Sequence, residues 1–364
     1  PQHRLSPYAP FRYTRHGDYL RKLDGRRIPR FRCKTCGKTF GSQTFSCTYY
    51  LKRPHLLPRV AEGICAGSAH RQIARSLKCS PSTVNRIVPR IGRHCLLLMA
   101  LALQHLSGIN EPLGADSFET FSSSQLDALG LVTLVGHRSW FFYGVDPAPH
   151  RRGGRLTPSQ RAKVRKRKRP LAPRGGVRRS FTRILDFLQG VLAPGERLIL
   201  YSDAHPAGPA ALAAHPLRER TAHHIFPNPR RGPKGSPRSR EARIRDAAMF
   251  PVDALHSLLR HTLAHHRRET IAFSRRIDAT QEELFLVMIW RNLVKWRSER
   301  KPDRRTPAML KELADEPWSW ERVLAQRLFP DRIRVPESWM KAYRRDWDSD
   351  EYGPMTRHRR VNAF

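Results

Sequence analysis

The spacing of apolar residues predicts strands and helices in the central part of the chain. Three apolar runs, at residues 113–121, 129–135 and 139–145, follow one another closely and predict an antiparallel meander. A helix is predicted over residues 180–191, where apolar side chains recur on one stripe, and residues 197–202 predict a buried strand. This order is typical of an α/β domain, although spacing alone does not name the fold.

Three short helical segments precede this region in the order of a helix-turn-helix. They cover residues 60–66, 70–77 and 82–91, and either Ser80 or Ser82 can cap the third segment. A plain helical hairpin has the same periodicity, but the order of residues favours DNA binding. The third segment exposes four side chains suited to the major groove: Thr83, Asn85, Arg86 and Arg90. Of these, Asn85 and Arg86 are the candidate base readers.

The charge of the chain indicates a polyanionic partner. Lys and Arg number 68 against 31 Asp and Glu, which gives a formal net charge of +37 over 364 residues. Nucleic acid is the expected partner, because neutralising its phosphates releases counterions. A GC-rich genome explains part of the Arg excess but not the shortage of acids. The apolar content of 39% excludes a merely disordered basic tail.

Composition divides the chain into four predicted regions. Residues 1–50 form a zinc-ribbon-like segment, and residues 51–108 the helix-turn-helix domain. Residues 109–290 mix apolar, strand-like runs with basic loops, and residues 291–364 form a helical basic C-terminal region. Because the chain begins with Pro rather than Met, we expect a fragment or an incomplete reading frame.

Two stretches are strongly basic, at residues 151–180 and 228–245. The first holds thirteen Lys or Arg residues and no acid, which predicts a flexible insertion loop. Each stretch either follows a DNA backbone or is a solvated loop without a specific contact.

The cysteines predict a partial zinc site and a reducing compartment. Cys33 and Cys36 form a CxxC followed by Gly37, a tight turn that directs two thiolates at one ion. A complete structural site needs two more ligands, and no second CxxC precedes this one, so zinc is possible but its site is incomplete. The alternative is a pair of ordinary thiols. No disulfide framework, secretory signal or membrane span is recognised, so we expect a cytoplasmic location.

Three aspartates are the candidate metal ligands. Asp116 lies in the first predicted strand, and Asp203 directly follows the buried strand, at the edge where such sheets build sites. Asp253 is placed in the first turn of a long helix predicted over residues 249–270, with Glu269 about 24 Å further along it. Each acid also has a structural interpretation, as a turn residue or a helix cap.

The order of several segments resembles bacterial insertion-sequence transposases of the DDE class: ADSFETF, LILYSDAHP, RRETIAFSRR and WRNLVKW. The resemblance runs from the CxxC to about Met309. It implies that residues 109–290 form an RNase H-like catalytic core with a mixed five-stranded sheet. In these families a catalytic acid opens the helix that later carries (K/R)xTxxFSR. The resemblance therefore implies Asp116, Asp203 and Asp253 as the catalytic triad, with Asp in place of the usual Glu and Glu269 as the fallback.

The implied activity is metal-dependent cleavage and strand transfer of DNA. Mg2+ or Mn2+ is the implied cofactor, because hard oxygen ligands match a hard ion. Expected partners are double-stranded DNA, as element ends and target, and further copies of the chain in a dimer or larger synapse. Arg267 and Arg268 are candidate phosphate contacts. The alternatives are a catalytically inactive DNA-binding protein derived from a transposase and a nucleic-acid chaperone driven by charge.

Overall fold

A computed structural model describes residues 12–44, 46–122, 124–166, 171–229, 232–233, 235–267, 270–274, 276–300 and 303–347. Its first unit is a small antiparallel sheet of three strands, β1 (Tyr13–Leu20), β2 (Arg27–Cys33) and β3 (Thr39–Gly41), in that order. Phe31 packs against the rings of Tyr13 and Phe40, at 5.2 and 5.6 Å between centroids. The described part of residues 1–50 thus contains a three-stranded antiparallel sheet.

The three helices predicted after this sheet are present, but the third is much longer than predicted. They are α1 (Leu56–Cys65), α2 (His70–Ser76) and α3 (Pro81–Gln104), and the Ser80 hydroxyl caps α3 by accepting from the Ser82 amide. By length and composition α3 could cross a membrane, yet 78% of its most apolar window lies inside the fold. It is therefore a core helix in this structure.

A mixed five-stranded sheet forms the centre of the molecule. The strands are β4 (Leu113–Phe121), β5 (Ala128–Gly136), β6 (Phe142–Pro149), β7 (Leu198–Ser202) and β8 (Thr221–Ile225). Their order is β6-β5-β4-β7-β8, in which β4, β5 and β6 are antiparallel and β7 and β8 run parallel to β4. The predicted meander and the predicted strand before Asp203 are therefore confirmed.

Helices cover this sheet and fill its connections. They are α4 (Pro158–Arg165), α5 (Gly176–Val191), α6 (Ala207–Ala213), α7 (Arg240–Thr262) and α8 (Ile277–Ile289). The basic stretch 151–180, predicted to be a loop, contains α4, because Thr157 and Gln160 form a capping box at its start.

The long helix predicted from residue 249 to residue 270 is wrong at both ends. In the structure α7 begins at Arg240, capped by Ser239, and it ends at Thr262. The basic stretch of residues 228–245 therefore contributes Arg240 to Arg245 to the start of this helix. Pro251 lies inside α7, where it leaves the Ala247 carbonyl without its helical donor; His137 Nε2 lies 3.4 Å from that oxygen.

These bounds correct two positional predictions. Asp253 lies in the middle of α7 rather than in its first turn. The helix ends at Thr262, so the predicted separation of about 24 Å along one continuous helix does not apply. Glu269 and Arg268 themselves lie outside the described residues.

The predicted regions share one hydrophobic core. Helix α3 packs along α8, and a buried cluster extends from Leu57 of α1 to Trp339 near the C-terminus. The C-terminal region, predicted to be helical, contains two short α-helices over its described residues, α9 (Trp320–Ala325) and α10 (Glu337–Arg344). They close the core, since Trp339 stacks on Phe187 at 5.3 Å.

Candidate active site

Two of the predicted acids are brought together by the pairing of β4 with β7. Ala115 and Ser202 are partners in this parallel pair, and each is followed directly by an aspartate, Asp116 and Asp203. Asp116 lies within β4, whereas Asp203 follows the last residue of β7. The register therefore places the two carboxylates side by side, at the level of the carboxyl end of β7.

The third acid comes from α7, which crosses the same part of the sheet. A Cβ atom at Gly114 would overlap a methyl group of Val252, so glycine at this strand position lets the helix approach closely. Asp253 is the next residue of α7, and Asp116 lies two positions beyond Gly114 on the same face of β4. The close crossing thus sets Asp253 over Asp116.

The convergence of the three acids changes the ionisation of Asp116. Burial and the neighbouring charge of Asp203 raise the pKa of Asp116 to about 7, and Asp253 adds to this shift. The Ser117 amide, which donates to Asp116 Oδ1 at 2.7 Å, and the charge of Arg245 act in the opposite direction. The protein therefore does not fully neutralise the negative charge of ionised Asp116.

Arg245 brings a positive charge to the three carboxylates. It lies eight residues before Asp253 on α7, and its guanidinium donates to both carboxylate oxygens of that residue. The same group lies 3.7 Å from Asp246. Arg245 was not predicted as a site residue, because an arginine in a basic stretch carries no distinguishing signal before the helix is known.

Two further residues that approach Asp116 are His256 and Thr133. The Thr133 hydroxyl donates to the Asp116 carbonyl at 3.2 Å, so His256 Nε2, 2.8 Å away, donates to Thr133 Oγ1. Burial and two nearby arginines lower the pKa of His256 to about 3, so the ring is neutral. Its Nδ1 atom then carries no proton and lies 3.9 Å from Asp116 Oδ2. Thr133 was missed because a buried strand threonine gives no sequence signal.

The predicted DNA-binding residues have different surroundings. Asn85 and Arg86 are exposed on α3, and Thr83 is half-buried. Arg90 instead donates to the carbonyl oxygens of Cys47 and Tyr49, at 3.2 and 2.5 Å, and thereby holds the segment before α1. Arg267 is exposed, and it donates to the Gly67 carbonyl at 3.1 Å, which joins the core to the turn before α2.

The CxxC forms a tight turn that Gly37 closes. Gly37 has a φ of +68°, and its amide donates to the Cys33 carbonyl at 2.9 Å. Burial raises the pKa of the Cys33 thiol, but the amides of Cys36 and Thr35 outweigh it, so the pKa is lowered overall. Two thiols in this turn supply half of a tetrahedral zinc site.

Across the described positions, no group of three or more His, Cys, Asp or Glu side chains is close enough to enclose a metal ion. The chemistry around Asp116 nevertheless suits a divalent cation. Three carboxylates present only oxygen ligands, and burial together with the neighbouring negative charges raises the pKa of Asp116 to about 7. These residues fit Mg2+ or Mn2+ better than a soft metal.

A scan against protein-family models and a search of curated proteins found no match to this chain. A functional conclusion therefore has to come from the geometry and the charge of the site.

We expect the stability of the chain without divalent cations to depend on Asp116. Its pKa is about 7 in the folded state and about 3.8 when unperturbed, so the folded state binds the extra proton between these values. Stability is therefore present at acid pH and is lost as pH rises from about 4 to 7. Asp116→Asn should raise the free energy of unfolding at pH 8 by roughly 2 kcal/mol, below the full linkage value because the group is partly solvated.

Urea unfolding of the wild type and Asp116→Asn between pH 4 and pH 8 measures this difference. Asp278 and Glu282, whose pKa values burial also raises to about 7, contribute equally to both proteins and cancel. A difference independent of pH would contradict the assignment.

Proposed function

We propose that this chain is a DNA transposase of the DDE class, with an RNase H-like core, that cleaves and joins DNA at its element's ends. The observation that carries the proposal is the convergence of Asp116, Asp203 and Asp253 from a central strand, the end of its parallel neighbour and a crossing helix. The strand order, in which an antiparallel meander precedes two parallel strands, supports the RNase H-like interpretation. Carboxylates on rigid elements are what two-metal phosphodiester chemistry requires.

The same three residues would hold Mg2+ or Mn2+. When bound, the ions supply Lewis-acid stabilisation of the developing charge and activate the attacking hydroxyl. Asp116 must be ionised to act as a ligand, so activity should rise through neutral pH. Thr133 holds the backbone carbonyl of Asp116, and His256 in turn holds the Thr133 hydroxyl.

Substrate binding follows from the charge and the α1–α3 unit. The exposed Asn85 and Arg86 would read base edges at the ends, while the net charge of +37 would bind phosphates without regard to sequence. Two ends must be held together, so we propose a homodimer or a larger synaptic complex, acting in the bacterial cytoplasm at the nucleoid. The knuckle of Cys33 and Cys36 would add zinc only if further ligands complete it.

Cleavage of a labelled duplex made from the DNA that flanks the coding sequence tests this proposal. We expect nicks that leave 3′-hydroxyl ends with Mg2+ or Mn2+ and none with chelator. Salt-sensitive binding of every duplex alike, without cleavage under any metal, would instead indicate a charge-driven chaperone.

One observation favours the alternative of an inactive DNA-binding protein. The guanidinium of Arg245 occupies both oxygens of Asp253, and a third acid neutralised in this way is a weaker metal ligand. Tight binding of the flanking DNA without metal-dependent cleavage would support this alternative.

Replacing Arg245 should reveal how strongly it competes with a metal ion. We expect Arg245→Met to bind Mn2+ several-fold more tightly than the wild type, because a positive charge is removed from the three carboxylates. Titration followed by the paramagnetic resonance of free Mn2+ measures the affinity. Arg243→Met, an exposed position on the same helix, is the matched control and should leave Mn2+ binding unchanged. Equal affinities for all three proteins would show that Arg245 does not compete.

A further inference from the structure

A chain of hydrogen bonds joins the proposed DNA-reading helix to the core. The ring of His70, the first residue of α2, lies between Asn85 of α3 and Glu283 of α8. His70 Nδ1 is 2.7 Å from Asn85 Oδ1, and His70 Nε2 is 3.0 Å from Glu283 Oε1. On the other side, His265 Nδ1 is 3.1 Å from Glu283 Oε2. An exposed amide is thus oriented from inside the protein.

Two histidines fix the charge of Glu283, which lies at the inner end of this series of hydrogen bonds. The Glu283 side chain is 11% exposed, and both of its oxygens face histidine nitrogens. Burial alone would raise the pKa of Glu283, but the two histidines outweigh it and hold the pKa well below its ordinary value. Glu283 is therefore ionised throughout the physiological range and accepts from both rings.

The charge of Glu283 acts on His70 in turn. Burial lowers the pKa of His70, but the hydrogen bond to Glu283, the charge of Glu283 and the hydrogen bond to Asn85 together outweigh burial and raise the pKa overall. A protonated imidazole donates from both nitrogens. One proton goes to Glu283, and the other goes to the Oδ1 atom of Asn85. The amide of Asn85 then has its oxygen turned towards His70 and its NH2 group left for solvent or a ligand.

We propose that Asn85 is a specificity-determining residue that selects guanine in the major groove, because His70 and Glu283 hold its NH2 group outward. This inference rests on the proposed DNA binding by α3. A freely rotating Asn pairs best with adenine, where it accepts from N6 and donates to N7. An amide that presents its two N–H bonds suits O6 and N7 of guanine, which are both acceptors.

The same series of hydrogen bonds makes the base preference of Asn85 depend on pH. The groups facing His70 are Glu283 on α8 and the neutral Asn85 on α3, with His265 behind Glu283. When His70 loses a proton, it keeps the one directed at Glu283, and Nδ1 becomes an acceptor. The Asn85 amide then turns over to donate to it and presents Oδ1 outward, which favours a base with a donor, such as adenine.

Selection from randomised duplexes tests this inference with the full chain. Duplexes that bind the wild type and duplexes that bind Asn85→Ala are selected separately at pH 6. The base pair that is enriched with the wild type but not with Asn85→Ala is the one that Asn85 reads. We expect guanine there, and replacing it by 7-deazaguanine, which lacks the N7 acceptor, should weaken binding about tenfold. Selection at pH 9, or with Glu283→Gln at pH 6, should change the preferred base to adenine.

Glu282→Gln is the matched control for the buried substitution. Glu282 is the neighbouring acid on α8, but it pairs with Arg345 rather than His70, so this variant should keep the guanine preference. Three results would overturn the inference and leave the proposed DNA binding intact. They are a preference for adenine at both pH values, a change of the preferred base in Glu282→Gln as well, and a selected sequence that is the same for the wild type and Asn85→Ala. No enrichment by the wild type at all would overturn both the inference and the proposed DNA binding.

Discussion

Asp203→Asn is expected to abolish metal-dependent DNA cleavage while leaving DNA binding intact. The substitution removes the carboxylate beside Asp116 without changing the size of the side chain. A metal ion contributes several kcal/mol of charge stabilisation in phosphodiester cleavage, so the rate should fall at least about a thousandfold. Single-turnover nicking of the labelled duplex measures the rate, and fluorescence anisotropy with the same duplex measures binding.

The matched control is Asp315→Asn, at an exposed position in the C-terminal region. It makes the same chemical change and should cleave like the wild type. Asp253→Asn should match Asp203→Asn if the acid on α7 is the third ligand. If Asp253→Asn retains activity and Glu269→Gln loses it, the third ligand is Glu269; if Asp203→Asn cleaves normally, the proposed site is wrong.

Gly92→Ala should destabilise the whole fold, because α3 and α8 touch at this glycine. A Cβ atom there would lie 2.7 Å from the Cα and carbonyl carbon of Glu282, which are backbone atoms of a buried helix. Backbone cannot move aside as a flexible side chain can, so the two helices must separate. We expect a loss of at least about 2 kcal/mol in the free energy of unfolding, measured in urea.

Gly190→Ala provides the opposite expectation for the same substitution. Gly190 also lies in a helix, α5, but a Cβ there would meet no described atom within 4 Å. Alanine restricts the unfolded chain more than glycine, so this variant should gain up to about 1 kcal/mol. A similar loss in both variants would show that the close approach of α3 and α8 is not the cause of the loss at Gly92.

Local spacing was enough to predict most elements of the central sheet. The meander of β4, β5 and β6 and the strand before Asp203 were predicted because alternating or continuous apolar residues report burial directly. The boundaries of helices were less predictable. The apolar residues of α3 after residue 91 and the basic residues at the start of α7 gave no signal for where a helix begins or ends. β8 was not predicted, since its sequence Thr221–Ile225 has two histidines and little apolar pattern.

The sequence by itself determined the charge, the principal strands and the three aspartates, because these depend on residue type and short-range periodicity. The tertiary structure decided which charged groups meet. The pairing of β4 with β7 and the close crossing at Gly114 brought the acids together, with Arg245 as counter-ion. It also turned Arg90 towards backbone carbonyls and set Glu283 behind His70. Such contacts join residues up to 213 positions apart, and one-dimensional patterns carry no information about them.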